Sequence, residues 1–180
     1  MTTSMTEKQK LPEVTTLPPL DEAEVAALAE RLHAEMLAAR PTAPRERLAH
    51  VAQCIEAASK NLASARARRN AAAYTVATQY RVRRGASMPA ALGFGRNRWK
   101  VIRDQMAAEP PKPVPDALAA LPSASLNAAA YTRLLDVLYG DRVEAIAALK
   151  AAEDVSNVEV AELVGCHPGR VAHLVAQTAS

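Results

Sequence analysis

The chain has 180 residues, of which 22 are basic and 19 acidic, for a formal charge of +3. A length of this order allows one or two compact domains, and we find neither a secretory leader nor a run of about 20 apolar residues that could span a membrane. Two cysteines are too few for a disulfide framework, which indicates a reducing compartment. The sequence predicts a cytoplasmic protein with an all-α fold, because alanine is abundant and strand-like alternation is absent.

Charge is unevenly distributed along the chain. Residues 1–56 sum to −3, residues 57–103 to +11, residues 104–115 to −1 and residues 116–180 to −4. Residues 57–103, the basic block, contain 11 basic residues and no Asp or Glu. Such a one-sided segment is typical of proteins that bind the phosphate backbone of a nucleic acid, and it predicts nucleoid association.

The N-terminal part predicts a tail and one helix. Residues 1–20 contain Thr and Pro and no apolar repeat, which predicts a disordered tail. Residues 21–44 predict an amphipathic helix ended by Pro41 and Pro44, with acidic residues in its first turn. Its apolar residues are spaced by three and four: Val25, Leu28, Leu32 and Met36.

A long helical stretch follows, because residues 45–84 contain neither Gly nor Pro. They predict one long helix, or two helices joined near residues 61–64. The apolar spacing permits a coiled coil with the first helix or with a second chain. It also fits an amphipathic helix packed inside its own domain, and we favour this second interpretation. Arg69 falls on the apolar seam of this stretch.

A glycine turn occurs within the basic block. Gly93 permits the left-handed backbone of a sharp turn, and four apolar residues would fill the wedge between the flanking helices: Leu92, Phe94, Trp99 and Ile102. The second helix then presents four side chains that suit guanine, adenine and the thymine methyl group in a major groove: Arg96, Asn97, Lys100 and Val101. Five arginines are predicted phosphate contacts: Arg81, Arg83, Arg84, Arg98 and Arg103.

The C-terminal part predicts a second helical unit at residues 116–180, after a proline-rich linker at 109–115. It contains a second glycine turn at Gly165, and Ser156 with Glu159 forms the pattern of a capping box. Three residues could contact DNA: His167, Arg170 and His173. The unit is acidic and its outward Pro, Gly and Ala offer few hydrogen bonds to bases, so we favour a protein contact.

Residues 91–102, with the helical stretch from His50 to Tyr80 before them, resemble the motif and scaffold helices of small actinobacterial-type helix-turn-helix DNA-binding regulators. Residues 160–171 resemble the same motif. The resemblance implies two trihelical units and a homodimeric, sequence-specific transcriptional regulator that binds double-stranded DNA through residues 45–108. Pro89 departs from the family's usual Ala, which predicts a short first motif helix capped by Ser87.

Several alternatives stay open. The basic block could be a helical hairpin with a basic surface, or part of an architectural, replication or partition protein that coats DNA without sequence preference. The protein could also be an adaptor whose C-terminal unit binds a protein such as RNA polymerase. RNA is disfavoured because the block has few aromatics. No catalytic or cofactor motif is found, and the spacing of His50, Cys54, Cys166 and His167 does not favour zinc, so we predict neither an enzyme nor a metal site.

Overall fold

The computed structural model describes residues 11–178, and this part of the chain is helical. The helices are α1 (Glu22–Leu37), α2 (Pro44–Gln79), α3 (Met88–Ala91), α4 (Arg96–Ala108), α5 (Ala117–Ala152), α6 (Asn157–Val164) and α7 (Pro168–Thr178). The one strand-like pairing in this range is a single parallel bridge between Glu13 and Arg81. The predicted all-α fold is confirmed. No helix in the described range is both long enough and apolar enough to cross a membrane.

The chain divides into two compact units whose limits differ from the predicted domains. Unit 1 comprises the chain up to Leu20 and Arg66–Ser125, and unit 2 comprises Asp21–Ala65 and Leu126–Ser180. The predicted limits followed the proline-rich stretches. In the structure the limits fall inside α2 and α5, because successive parts of each long helix contribute to different hydrophobic cores.

The core of unit 1 joins the second half of α2 to α3, α4 and the start of α5. Small residues on α2 allow close approach of its neighbours, and Ile102 of α4 is only 2% exposed. Burying such a side chain stabilises the fold by about 1.5–3 kcal/mol. The buried members are Val14, Ala72, Ala73, Val76, Ala91, Leu92, Phe94, Ile102, Ala117 and Leu121.

Residues 11–20 differ from the predicted disordered tail, because they lie extended along unit 1. The Arg81 N–H donates to the Pro12 carbonyl at 2.9 Å, and the Arg81 carbonyl accepts from the Val14 N–H at 2.8 Å. The Leu17 N–H donates to the Ala91 carbonyl at 2.9 Å, and Val14 is buried in the core. One buried side chain and a few backbone hydrogen bonds leave no periodic signal in a sequence. Residues 1–10 lie outside the described residues.

The proline-rich stretch at 109–115 also belongs to unit 1 and does not join two domains. It is non-helical, as predicted. The Val114 N–H donates to Oγ1 of Thr75 at 3.3 Å, and Val114 packs against the core of unit 1. This contact with α2 is what the local sequence could not indicate.

Unit 2 has two hydrophobic clusters. In the first, Leu32 and Met36 of α1 pack against Cys54, Ala58 and Leu62 of α2 and against three leucines of α5, namely Leu134, Leu135 and Leu138. The apolar face of α2 is therefore used inside its own chain, as favoured. Residues 44–79 form one continuous helix and not two helices joined near residues 61–64. In the second cluster, α6 and α7 pack on α5 and the start of α2 through Leu48, Ile146, Leu149, Val160 and Val171.

Candidate nucleic-acid interface

The turn between α3 and α4 depends on the backbone of Gly93. Its φ is +74°, in the region that favours glycine, and a Cβ there would meet no atom within 4 Å. Glycine is therefore needed at this position for its backbone conformation, and not because a side chain would clash with a neighbour. α3 has only four residues with Pro89 in its first turn, which confirms the predicted short helix, although the Ser87 side chain makes no capping hydrogen bond.

α4 has one buried and one exposed side. Ile102 is in the core and Trp99 packs against it, with the Trp99 ring centroid 5.9 Å from that of Phe94. The opposite side carries the four predicted base-reading residues, all exposed: Arg96, Asn97, Lys100 and Val101. Val101 is 55% exposed. The turn and the helical period therefore leave these side chains accessible to a ligand.

The N-terminus of α4 is basic and lacks a side-chain cap. Gly95 occupies the N-cap position, no acidic residue lies in the first turn, and Arg96 and Arg98 lie there instead. Because the helix dipole already places partial positive charge at this end, the arginines add repulsion. A phosphate at this position would reduce that repulsion and accept hydrogen bonds from the free N–H groups.

The five predicted phosphate contacts are exposed, and two of them pair with carboxylates. Nη2 of Arg81 lies 3.1 Å from Oε1 of Glu13, and Nη2 of Arg103 lies 3.1 Å from Oδ1 of Asp104. Exposed ion pairs contribute about 0–1 kcal/mol, so a phosphate can displace either carboxylate at low cost.

Two residues at this site were not predicted from the sequence. Asp104 shares the exposed face of α4 with Lys100, four residues earlier, and a carboxylate there can accept from the cytosine amino group. Arg69 of α2 places its guanidinium 5.2 Å from the Phe94 ring centroid. In the sequence, Arg69 could have been identified from its position on the apolar seam of α2. Asp104 lies just beyond the basic block, so the pattern of charge did not include it.

The α6–α7 region has a similar turn with different helix ends. Gly165 ends α6 with φ 64° and ψ 40°. The predicted capping box is confirmed, since the Glu159 N–H donates to Oγ of Ser156 at 3.2 Å and the Ser156 N–H donates to Oε2 of Glu159 at 2.9 Å. The Ser156 N–H and the Ser156 Oγ each donate to Oε2 of Glu159 at 2.9 Å, and these two hydrogen bonds lower the pKa of Glu159.

The N-terminus of α7 is also satisfied within the chain. Nδ1 of His167 accepts from the Gly169 N–H at 3.1 Å, and Pro168 has no N–H to satisfy. The three predicted DNA contacts of this region are exposed: His167, Arg170 and His173. The His167 ring is nevertheless already engaged by its own helix through Nδ1.

The division into units accentuates the charge separation. Within the described residues, unit 1 has 11 basic and 4 acidic residues, a formal charge of +7, whereas unit 2 has 9 basic and 14 acidic residues, a charge of −5. The exposed face of α4 thus belongs to the basic unit, and the α6–α7 region belongs to the acidic unit.

Searches against family models, curated proteins and solved structures found no match to this chain.

His50 and Cys54, considered above as zinc ligands, have a structural role in unit 2. Both side chains lie within hydrogen-bonding distance of the Met36 carbonyl near the end of α1, His50 Nε2 at 3.1 Å and Cys54 Sγ at 3.5 Å. Burial raises the pKa of the Cys54 thiol, with a smaller contribution from Asp141. Among the residues that the structure describes, no three His, Cys, Asp or Glu side chains are grouped to hold a metal ion.

Proposed function

We propose that unit 1 binds double-stranded DNA in a sequence-specific manner and that the protein regulates transcription. The observation that carries this proposal is α4 itself. Its inner side is anchored by Ile102 and Trp99, its outer side exposes hydrogen-bonding and basic side chains, and its N-terminus is basic and uncapped. A helix with these properties fits a major groove.

The exposed side chains match the chemistry of base edges. Arg96 or Lys100 can donate to O6 and N7 of guanine, Asn97 can form two hydrogen bonds with adenine, and Val101 can contact a thymine methyl group. We expect Arg83 and Arg84, which precede α3, to hold phosphates together with Arg81, Arg98 and Arg103, and such contacts orient a protein without reading sequence. Acting as a homodimer, two copies would read half-sites about one helical turn apart.

The direct test is to capture fragmented genomic DNA on the purified full-length protein at about 0.15 M salt and to sequence the retained fragments. Non-specific affinities are about 10⁻⁴ to 10⁻⁶ M under such conditions, so only preferred sites should be enriched. An enriched motif supports the proposal. Retention without a motif would support the architectural alternative, and no retention would overturn DNA binding.

Two variants separate base reading from phosphate contact. Arg96→Ala should cost about 1–3 kcal/mol of binding free energy and relax base choice at one position, whereas Arg84→Ala should weaken all sequences alike and reduce the salt slope by about 1. Binding titrations on the enriched site and on a scrambled site measure both effects. If Arg96→Ala keeps the full sequence preference, α4 is not the reading helix.

A second candidate function, protein contact, is favoured for unit 2. Its charge of −5 repels phosphate, and the N-termini of α6 and α7 are already satisfied. Large apolar side chains are exposed on this unit: Val137, Tyr139 and Val158. If these residues form a contact between two copies of the chain, Tyr139→Asp with Val158→Asp should lower the mass measured by sedimentation equilibrium. A wild-type protein that is monomeric at all concentrations would exclude self-association.

A further inference from the structure

Arg69 lies in an unusual environment within unit 1. It shares the face of α2 that buries Ala72, Ala73 and Val76, and its guanidinium lies over the Phe94 ring. Nη2 donates to Oδ1 of Asn70 at 3.3 Å, but Nε is buried without a hydrogen-bond partner in the described part of the chain. The guanidinium is thus held in place with part of its donor capacity unused.

Two more guanidiniums act on Arg69, and both are positive. Arg66 lies three residues earlier on α2, and Arg98 lies in the first turn of α4. Burial, followed by the charges of Arg98 and Arg66, lowers the pKa of Arg69 to about 10. Arg69 therefore remains charged at neutral pH, and no carboxylate within residues 11–178 forms an ion pair with it.

This arrangement opposes folding of the free protein. A basic group whose pKa is lower in the folded state than in the unfolded chain is destabilised in its charged form at every pH below the folded value. Stacking on Phe94 orients the guanidinium but neutralises none of its charge. A partly buried charge that lacks a counter-charge is relieved by an anion, and paired arginine forks fit the oxygens of a phosphate.

We propose that Arg66, Arg69 and Arg98 form a phosphate-binding cluster, with Arg69 as its fixed central member and a phosphate of the nucleic-acid backbone as its ligand. The inference rests on the proposed function and extends it to two residues of α2. Because Arg69 belongs to α2 and Arg98 to the first turn of α4, one phosphate would bridge the two helices and hold the reading helix in register.

The test compares Arg69→Met with Arg68→Met. Arg68 is an exposed neighbour on the same helix, so both variants remove one positive charge. Arg69→Met should weaken duplex binding about tenfold at about 0.15 M salt and reduce the salt slope by about 1, while Arg68→Met should change affinity by less than about threefold. Arg69→Met should also raise the Tm of the free protein by about 2–4 °C, because it removes an uncompensated charge.

The opposite pattern would overturn the cluster. If Arg69→Met lowers Tm and binds duplex as well as Arg68→Met does, Arg69 is only a packing partner of Phe94. Arg69→Lys keeps the charge but loses the fork, so an intermediate affinity is expected, and wild-type affinity would contradict the use of the fork. This second variant keeps the test decisive if Arg69→Met does not fold.

Inorganic phosphate distinguishes the source of the ligand. Wild-type Tm is compared in phosphate and chloride at equal ionic strength, and then with duplex DNA. The cluster is supported if inorganic phosphate or duplex DNA raises the Tm of the wild type but not that of Arg69→Met. Comparing the two additions shows whether a free phosphate ion suffices or the nucleic-acid backbone is needed. If neither raises Tm, the cluster binds no phosphate. If only inorganic phosphate does, the cluster stands and the proposed DNA binding fails.

Discussion

The α3–α4 and α6–α7 regions share a local geometry and differ in whether their helix N-termini are capped by a side chain. Both turn at a glycine of positive φ, +74° at Gly93 and +64° at Gly165, and both bury apolar side chains of the second helix. The N-terminus of α4 has no side-chain cap and carries arginines. The N-termini of α6 and α7 are capped by Ser156 and His167.

The difference shows that a turn and two helices do not by themselves determine a binding function. In the α6–α7 region the polar groups at both helix N-termini find partners inside unit 2, so little is left there for an anion. In the α3–α4 region the first turn of α4 has neither a side-chain cap nor an acidic residue, which costs stability in the free protein and favours an anionic ligand. Four predictions test this contrast.

Capping the N-terminus of α4 should make it resemble the N-termini of α6 and α7. Of the four changes, this one should lower duplex affinity the most. Gly95 has an extended backbone and open space for a Cβ, so Gly95→Asp should fit, cap α4 and stabilise the free protein by about 0.5–1 kcal/mol. The new carboxylate would occupy the place of a phosphate, and duplex affinity should fall at least about tenfold. Urea unfolding and binding titrations measure the two effects.

Gly95→Asn is the matched control, because it caps without a charge. It should stabilise nearly as well as the aspartate and lose less affinity. Equal affinity for Gly95→Asp and wild type would show that no phosphate lies at this helix end.

Removing the cap of α6 should affect stability alone. Ser156→Ala should cost about 1 kcal/mol, a fall of about 2–4 °C in Tm, with duplex affinity unchanged within about twofold. Ser87→Ala is the control, because Ser87 holds the same position at α3 without a capping hydrogen bond. Equal losses in the two variants would contradict the role of the Ser156 side chain.

The same capping box predicts that the stability of the folded protein depends on pH. The folded pKa of Glu159 is lowered from the ordinary value of 4.5. The contribution of its carboxylate to the free energy of unfolding is therefore complete above pH 4.5 and is lost as the pH falls through the folded pKa. Wild type and Glu159→Gln should therefore differ in urea midpoint at pH 7, and the difference should shrink as the pH falls below 4.5 and through the folded pKa. A difference that is constant with pH would exclude ionisation of Glu159 as its cause.

The N-terminal segment should compete weakly with DNA for Arg81. Glu13→Gln removes the carboxylate 3.1 Å from the guanidinium, and affinity should rise about two- to fivefold, since an exposed pair is worth about 0–1 kcal/mol. Glu109→Gln is the control, because it makes the same charge change at an exposed position of unit 1. Equal gains in both variants would indicate a general charge effect.

The sequence predicted the environment of some residues and not of others. The helical period correctly identified the inner and outer sides of α4, because each turn repeats the same geometry. The roles of Val14 and Arg69 could not be predicted, since both depend on partners far away in the chain. Val14 enters the core beside α2 and α3, and Arg69 meets a ring that follows it by 25 positions.

The sequence by itself determined the all-α fold, the two glycine turns, the capping box and the segregation of charge, because each is set by neighbouring residues or by composition. Only the tertiary structure decided where the units begin and end, since α2 and α5 each supply residues to more than one core. It also decided which charges are compensated. Glu13 reaches Arg81 across 68 positions, whereas within residues 11–178 the charges that act on Arg69 are those of Arg98 and Arg66, both positive. Such pairings depend on distances in space, which local sequence patterns do not encode.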